Sequence, residues 1–263
     1  MDFHGLPDEL ILKIFRNLTL QDLFFNVALV NKHFHKITKD STLLKSVTLK
    51  DIGEYVFDDT KKALEKATMI KELTLLENVL NPEKLLKTAF QSNKGLKSLK
   101  IDAHVSQELA EVIQTSGESH LEHLEIGLSP EINEIALMHL TKLKNLKSFN
   151  IKNDLTPVHL KSLALNCRNL ENVAISILYN ESSEAMEYFC HALQHSLTNL
   201  QFYYLQRTDW DFKSMSKLTK LTSLSLDLSM CFQLTHDQMS NLGKIPNLQV
   251  LSITADNTFD MCQ

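Results

Sequence analysis

The side chains with the greatest capacity for chemistry here are the histidines and cysteines, and their spacing serves no obvious reaction. His33 and His35, like His120 and His123, lack the i, i+4 spacing and the acidic companion that a zinc-binding helix uses. They read as surface or turn histidines, and no metal or other cofactor is expected. Cys167, Cys190, Cys231 and Cys262 are separated by 23, 41 and 31 residues, gaps that fit neither a zinc-ligand pair nor a redox CxxC. Free, reduced thiols of an intracellular protein are the expectation. No nucleophile elbow, phosphate-binding glycine loop or Cys–His pairing is present, so no catalytic residue is assigned.

With chemistry set aside, the elements themselves become the question. At 263 residues, 43% hydrophobic and 22% charged, the chain can bury a sizeable core. Six glycines and five prolines are too few for a sandwich of many tight turns. A net charge of −5 gives no basic footprint, which disfavours a nucleic-acid partner. No run of 18 apolar residues predicts a membrane span. The expected location is the cytoplasm, the nucleus or both.

One pattern, apolar-x-x-apolar-x-apolar, organises most of the chain. It runs through Leu44/Val47/Leu49, Ile70/Leu73/Leu75 and Leu96/Leu99/Ile101. Leu121/Leu124/Ile126, Leu146/Phe149/Ile151 and Leu170/Val173/Ile175 continue it. Leu200/Tyr203/Leu205, Leu221/Leu224/Leu226 and Leu248/Leu251/Ile253 complete nine matches, with offsets of 26, 26, 25, 25, 24, 30, 21 and 27 residues. A single match means nothing; nine in near-constant series mean a repeat. The last two apolar positions of each unit are two apart and share one face of a short strand. A polar residue commonly follows (Asn78, His104, Ser129, Asp154, Thr208, Ser229, Asp256) and would satisfy backbone where the chain leaves the strand. Ile52 and Leu178 break that rule.

Between the strands lie helical segments. Asn81-Pro82, Ser129-Pro130 and Thr156-Pro157 each place a capping residue before proline, and Thr235-x-x-Gln238 has capping-box spacing. A strand and a helix in every 24 to 27 residues resembles the cysteine-containing type of leucine-rich repeat, although its cysteine is mostly missing. The fold class predicted is α/β, with parallel strands on a concave face and helices on a convex one.

The N-terminal segment, residues 1–42, stands outside the repeat of residues 43–263 and predicts three short helices. In the first, Leu10, Ile11, Ile14, Phe15 and Leu18 span about 140° of arc, with Leu12 outside it near 200°. In the second, only Asn26 is polar between Leu23 and Val30. About forty residues cannot enclose that much apolar surface, so docking against something else is expected.

The run Leu6-Pro7-x-Glu9-Leu10-Ile11-Leu12-x-Ile14-Phe15-x-x-Leu18, followed by Leu23 and Ala28-Leu29-Val30-Asn31-Lys32, resembles an F-box. Asn31, Phe34 and Leu43-Leu44 stand where that family often has Cys and two Trp. An F-box followed by repeats is the plan of the F-box/leucine-rich-repeat family. The resemblance implies a non-catalytic substrate receptor that binds the Skp adaptor, and through it a cullin, and presents a target protein for ubiquitin transfer. By position, Leu6, Pro7, Glu9, Leu12, Ile14 and Phe15 would line or shape the adaptor interface, with internal packing an equal alternative for Ile14 and Phe15. The alternative function is a scaffold whose N-terminal helices merely cap the repeats, which would bury Leu6, Pro7 and Leu12.

On the strand face, nine strands about 4.8 Å apart would give an inner surface of roughly 40 Å. Lys100, Asn150, Lys152, Phe202, Tyr204 and Arg207 are the candidates for target contact. The pattern makes Tyr203 core and turns Phe202 and Tyr204 outward beside Arg207, a hot-spot composition. The preceding 30-residue unit is read as carrying a longer loop at Tyr179–Ser183.

Overall fold

The computed structural model describes residues 6–127, 129, 132–177, 183–204, 210–229 and 234–254. The chain forms two compact units, Met1–Ala103 and His104–Gln263.

In the first unit, α1 (Asp8–Phe15) is followed by a π-helical stretch, Asp22–Val27, that runs into α2 (Ala28–Val30). Two short helices complete the N-terminal segment: α3 (Lys32–Ile37) and α4 (Ser41–Leu44). The fourth was not expected. Asp40 starts it by accepting from Thr42 N at 2.8 Å, and it buries Leu43 and Leu44.

Strands β1 (Ser46–Leu49), β2 (Glu72–Leu75) and β3 (Ser98–Ile101) pair in parallel, with α5 (Glu54–Lys66) and α6 (Pro82–Ser92) between them. Val47/Leu49, Leu73/Leu75 and Leu99/Ile101 are the buried residues, as period-two alternation requires. The carbonyl just before each strand holds the next unit in step: Lys45 O accepts from Lys71 N at 2.8 Å, and Lys71 O from Lys97 N at 2.9 Å.

The second unit repeats the device. It contains β4 (His123–Ile126), β5 (Ser148–Leu155), β6 (Asn172–Ile177), β7 (Asn199–Tyr203), β8 (Ser223–Asp227) and β9 (Val250–Thr254), paired in parallel and in chain order. Its helices are α7 (Gln107–Gly117), α8 (Glu134–Leu140), α9 (Pro157–Asn166), α10 (Ser183–Ala192) and α11 (His236–Leu242). A 3₁₀ turn, Lys213–Lys217, replaces the helix between β7 and β8. One strand per unit, followed by a helix or, after β7, by a 3₁₀ turn, makes this the α/β solenoid repeat of leucine-rich repeats, behind an N-terminal helical segment.

Two polar positions explain how the repeat manages with one well-placed cysteine. Cys167 lies three residues before Leu170, and its Sγ donates to Leu143 O at 3.0 Å, one unit back. Asn93 holds the same place before Leu96: its Oδ1 accepts from Ile70 N at 2.8 Å and its Nδ2 donates to Ala89 O. Either side chain satisfies buried backbone that the bend between helix and strand leaves open.

The buried Cys167 and Cys190 thiols are pushed up to about 12 by desolvation. Iodoacetamide at mildly alkaline pH is therefore expected to leave both unmodified in the native chain and to alkylate both after unfolding, read by mass spectrometry. The unfolded state binds fewer thiol protons above its pKa of about 9, so these two groups make stability fall as pH rises from about 9 towards 12. Cys231 and Cys262 lie outside the described residues.

The cap signals met different fates. Thr235 forms its capping box: its Oγ1 accepts from Gln238 N at 3.2 Å, while its own N–H donates to Gln238 Oε1 at 2.9 Å. At Thr156 the reciprocal partner is His159, whose Nδ1 accepts from Thr156 N at 3.2 Å. Asn81 precedes the helix as expected, but at φ 43° its side chain makes no cap bond. The helix expected from Ser129-Pro130 starts instead at Glu134, where Asn133 Oδ1 accepts from Ala136 N at 2.8 Å. Ser129 serves the ladder: it accepts from Val105 N at 3.1 Å, and its own N–H donates to Asn153 Oδ1 at 3.1 Å. Ile52, an apolar exception among the ninth positions, is buried and bridged to Val79.

Candidate functional site

Two surfaces carry the candidates, one in each unit. In the first, α1 divides its broad apolar arc. Ile11 and Phe15 turn inward and are buried; Phe15 meets Phe34 edge-on, with ring centroids 5.3 Å apart. If inward lies near 120° on a wheel numbered from Leu10, then Leu10 and Ile14 at about 0° and 40° must face away. They are 43% and 42% exposed. Leu6 and Leu12 are half-buried; Pro7 and Glu9 are exposed. Pro7 O starts the helix by accepting from Leu10 N at 3.0 Å, and Asp8 and Glu9 complement the positive end of its dipole. Of the six residues assigned to the adaptor face, Phe15 is therefore an internal packing residue that shapes the surface from beneath.

The π-helical stretch explains the second, almost wholly apolar helix. Residues five apart in an α-helix differ by about 140°, but in a π-helix they lie about one turn apart. Leu23 and Ala28 consequently share the buried face, and Asn26 Nδ2 braces the segment by donating to Asp22 Oδ1 at 2.9 Å. Leu29 and Val30 are then left 76% and 64% exposed. With Leu10, they are the apolar surface residues that sequence reasoning left off its site; a π-helical turn has no recognised sequence signature. The other side of this segment is tied to the first repeat. Gln21 Nε2 donates to the buried Thr60 hydroxyl, and Lys66 Nζ sits 4.7 Å from the centre of the Phe25 ring.

The second surface is the open face of the sheet in the other unit. Tyr203 Oη donates to Asn150 Oδ1 at 3.0 Å, reaching from β7 across β6 to β5, and Lys152 Nζ lies 6.0 Å from the centre of the Tyr203 ring. The intervening residue is Ala174, whose small side chain gives the ring room. Burial pushes the Tyr203 phenol up from its ordinary value, against the hydrogen bond to Asn150. Tyr204, at φ 48°, is 47% exposed. Asn150 and Lys152 thus lie on the open face, while Tyr204 stands just past the end of β7.

Phe202 does not, and its assignment is corrected. It is fully buried, pairs in register with Ile175 and Leu226, and packs edge-on against Trp210 at 5.8 Å. Trp210 in turn meets Phe212 at 4.4 Å. The true unit is Leu197-x-x-Leu200-x-Phe202, three residues earlier than the one chosen. Its intervals are 27 and 24 residues, so no unit is stretched to 30. Tyr203, expected in the core, is the residue that faces outward. Arg207 and Tyr179–Ser182 lie outside the described residues, and Ser183 opens α10. Lys100 belongs to the first unit, where its Nζ stands 3.4 Å from Asp102 Oδ2.

Residues 3–50 match the F-box-like family model. The N-terminal segment is an F-box-like domain. No curated protein matches the chain by sequence. Among solved structures, it is similar to the leucine-rich repeat-containing protein LegL7 from Legionella pneumophila, at 12% identity and a TM-score of 0.43 over 81% of this chain and 84% of that one. It is also similar to a crystal structure of the Rad7 and Elc1 complex in yeast, at 15% identity and a TM-score of 0.38 over 97% and 90% of the two chains. The match places Leu10, Ile14, Leu29 and Val30, the exposed apolar residues of this segment, within the F-box-like domain.

Proposed function

We propose that this chain is the substrate-recognition subunit of a Skp–cullin–F-box ubiquitin ligase. Its F-box-like domain binds the Skp adaptor, and its repeats hold a protein target. The observation that carries this reading is an F-box-like domain whose α1 and α2 leave Leu10, Ile14, Leu29 and Val30 exposed beside the buried Ile11, Phe15 and Leu23. Large apolar side chains exposed together mark a binding surface rather than a folding surplus. The adaptor recruits the cullin, ubiquitin transfer takes place on other subunits, and the chain works without a cofactor in the cytoplasm, the nucleus or both.

The contacts of Gln21 and Phe25 with the first repeat favour a capping role for the same helices. The two roles use opposite faces and are compatible. A pure cap would bury Leu6, Pro7 and Leu12; Pro7 is exposed, and Leu6 and Leu12 are half-buried. Co-expression with a Skp adaptor tests the reading: a stable complex is expected on size exclusion, and a chain that elutes alone and folded leaves only the scaffold.

A further inference from the structure

The open face of the second unit has a chemical character of its own. In register across β5, β6, β7 and β8, one row is Ser148, Asn172, Asn199 and Ser223. The next row is Asn150, Ala174, Gln201 and Ser225. Neither row contains a formal charge. Together they line a hollow of about 220 Å³, its floor lowered at Ala174. Charges stand to the sides, with Glu125 on β4, Lys152 on β5 and Asp227 at the end of β8. The floor is also ordered: Asn199 Nδ2 donates to Asn172 Oδ1, and Asn150 Oδ1 accepts from Tyr203 Oη.

Amides and hydroxyls both donate and accept, so such a floor can satisfy the N–H and C=O groups of a peptide and short neutral side chains. A carboxylate or ammonium pressed onto it would lose water without meeting an opposite charge. We propose that this face binds an extended, uncharged polar segment of the target, rich in Gly, Ser, Thr, Asn and Gln, laid across β5 to β8. The proposal rests on the receptor reading and names the class of segment that the repeats accept.

The probes are three synthetic twelve-residue peptide pools: one built only from those five residues, one with Asp and Glu added, one with Lys and Arg added. They are titrated by fluorescence anisotropy against the full chain with its Skp adaptor. The neutral pool is expected to bind at least about tenfold tighter than either charged pool. Ser225→Glu and Ser225→Lys are each expected to weaken it by about tenfold or more, in the same direction, with the melting temperature unchanged. Preference for a charged pool, opposite effects of the two variants, or binding by none of the pools would overturn the proposal. Adaptor capture is read on the same samples. Its absence refutes the receptor reading itself, whereas capture without peptide discrimination refutes this inference alone.

Discussion

Phe202→Ala is expected to destabilise the chain by about 3–5 kcal/mol, whereas Tyr204→Ala, two residues on, should change stability by about 0.5 kcal/mol or less. Phe202 is fully enclosed, and its removal leaves a cavity against Trp210 in a layer that a 3₁₀ turn, rather than a full helix, has to cover. That layer relies on large rings: Trp210 meets Phe212 edge-on, and Trp210 Nε1 donates to Ser214 Oγ at 3.2 Å. Neighbours held this way collapse poorly into a void, which puts the cost at the upper end of such truncations. Tyr204 is half in water and in a left-handed conformation, so its ring carries little folding energy. Urea denaturation of the two variants beside the parent chain decides it. Equal, small losses would mean that β7 runs in the other register, with Phe202 outward and Tyr203 in the core.

The second large effect concerns the two sides of α1. Leu10→Asp/Ile14→Asp should abolish adaptor binding, a loss of at least about a thousandfold, because on the proposed reading each side chain is an apolar anchor of the interface and each carboxylate would be buried unpaired. The same pair should cost folding much less than a core truncation, since Leu10 and Ile14 are 43% and 42% exposed. Phe15→Ala should act the other way. It removes a buried ring from its edge-on contact with Phe34 and should lower stability by about 3–5 kcal/mol, with adaptor binding weakened only through that loss. Helicity and binding measured on both variants separate the two faces. If Leu10→Asp/Ile14→Asp unfolds the domain, its outward stripe is part of the core after all.

Much of this was legible because the repeat is a strong signal. Eight of the nine strands among the described residues lie where the spaced apolar residues put them, and in seven of these the spaced pair is buried, whereas in β9 Leu251 and Ile253 are 41% and 40% exposed. β7 escaped because Leu197, Leu200, Phe202, Tyr203 and Leu205 satisfy two overlapping patterns three residues apart. Only the cross-strand register, which pairs Leu200 with Val173 and Leu224, chooses between them. The N-terminal segment was legible as an unfinished hydrophobic unit, yet a wheel gives the width of an apolar arc and not the direction of the core. Phe15, left open between internal packing and the interface, is therefore internal, and Leu10, given no site role, is exposed. The π-helical turn that exposes Leu29 and Val30 depends on packing around Leu23 and Ala28, which no local pattern announces.

The central claim, an adaptor-binding face on the F-box-like domain, is tested most directly by titrating purified Skp adaptor into the full chain by isothermal calorimetry. One-to-one binding at about nanomolar dissociation constant, lost in Leu10→Asp/Ile14→Asp while that variant stays folded, is the result predicted. No heat of binding to the folded parent chain, or equal binding by the variant, would contradict it.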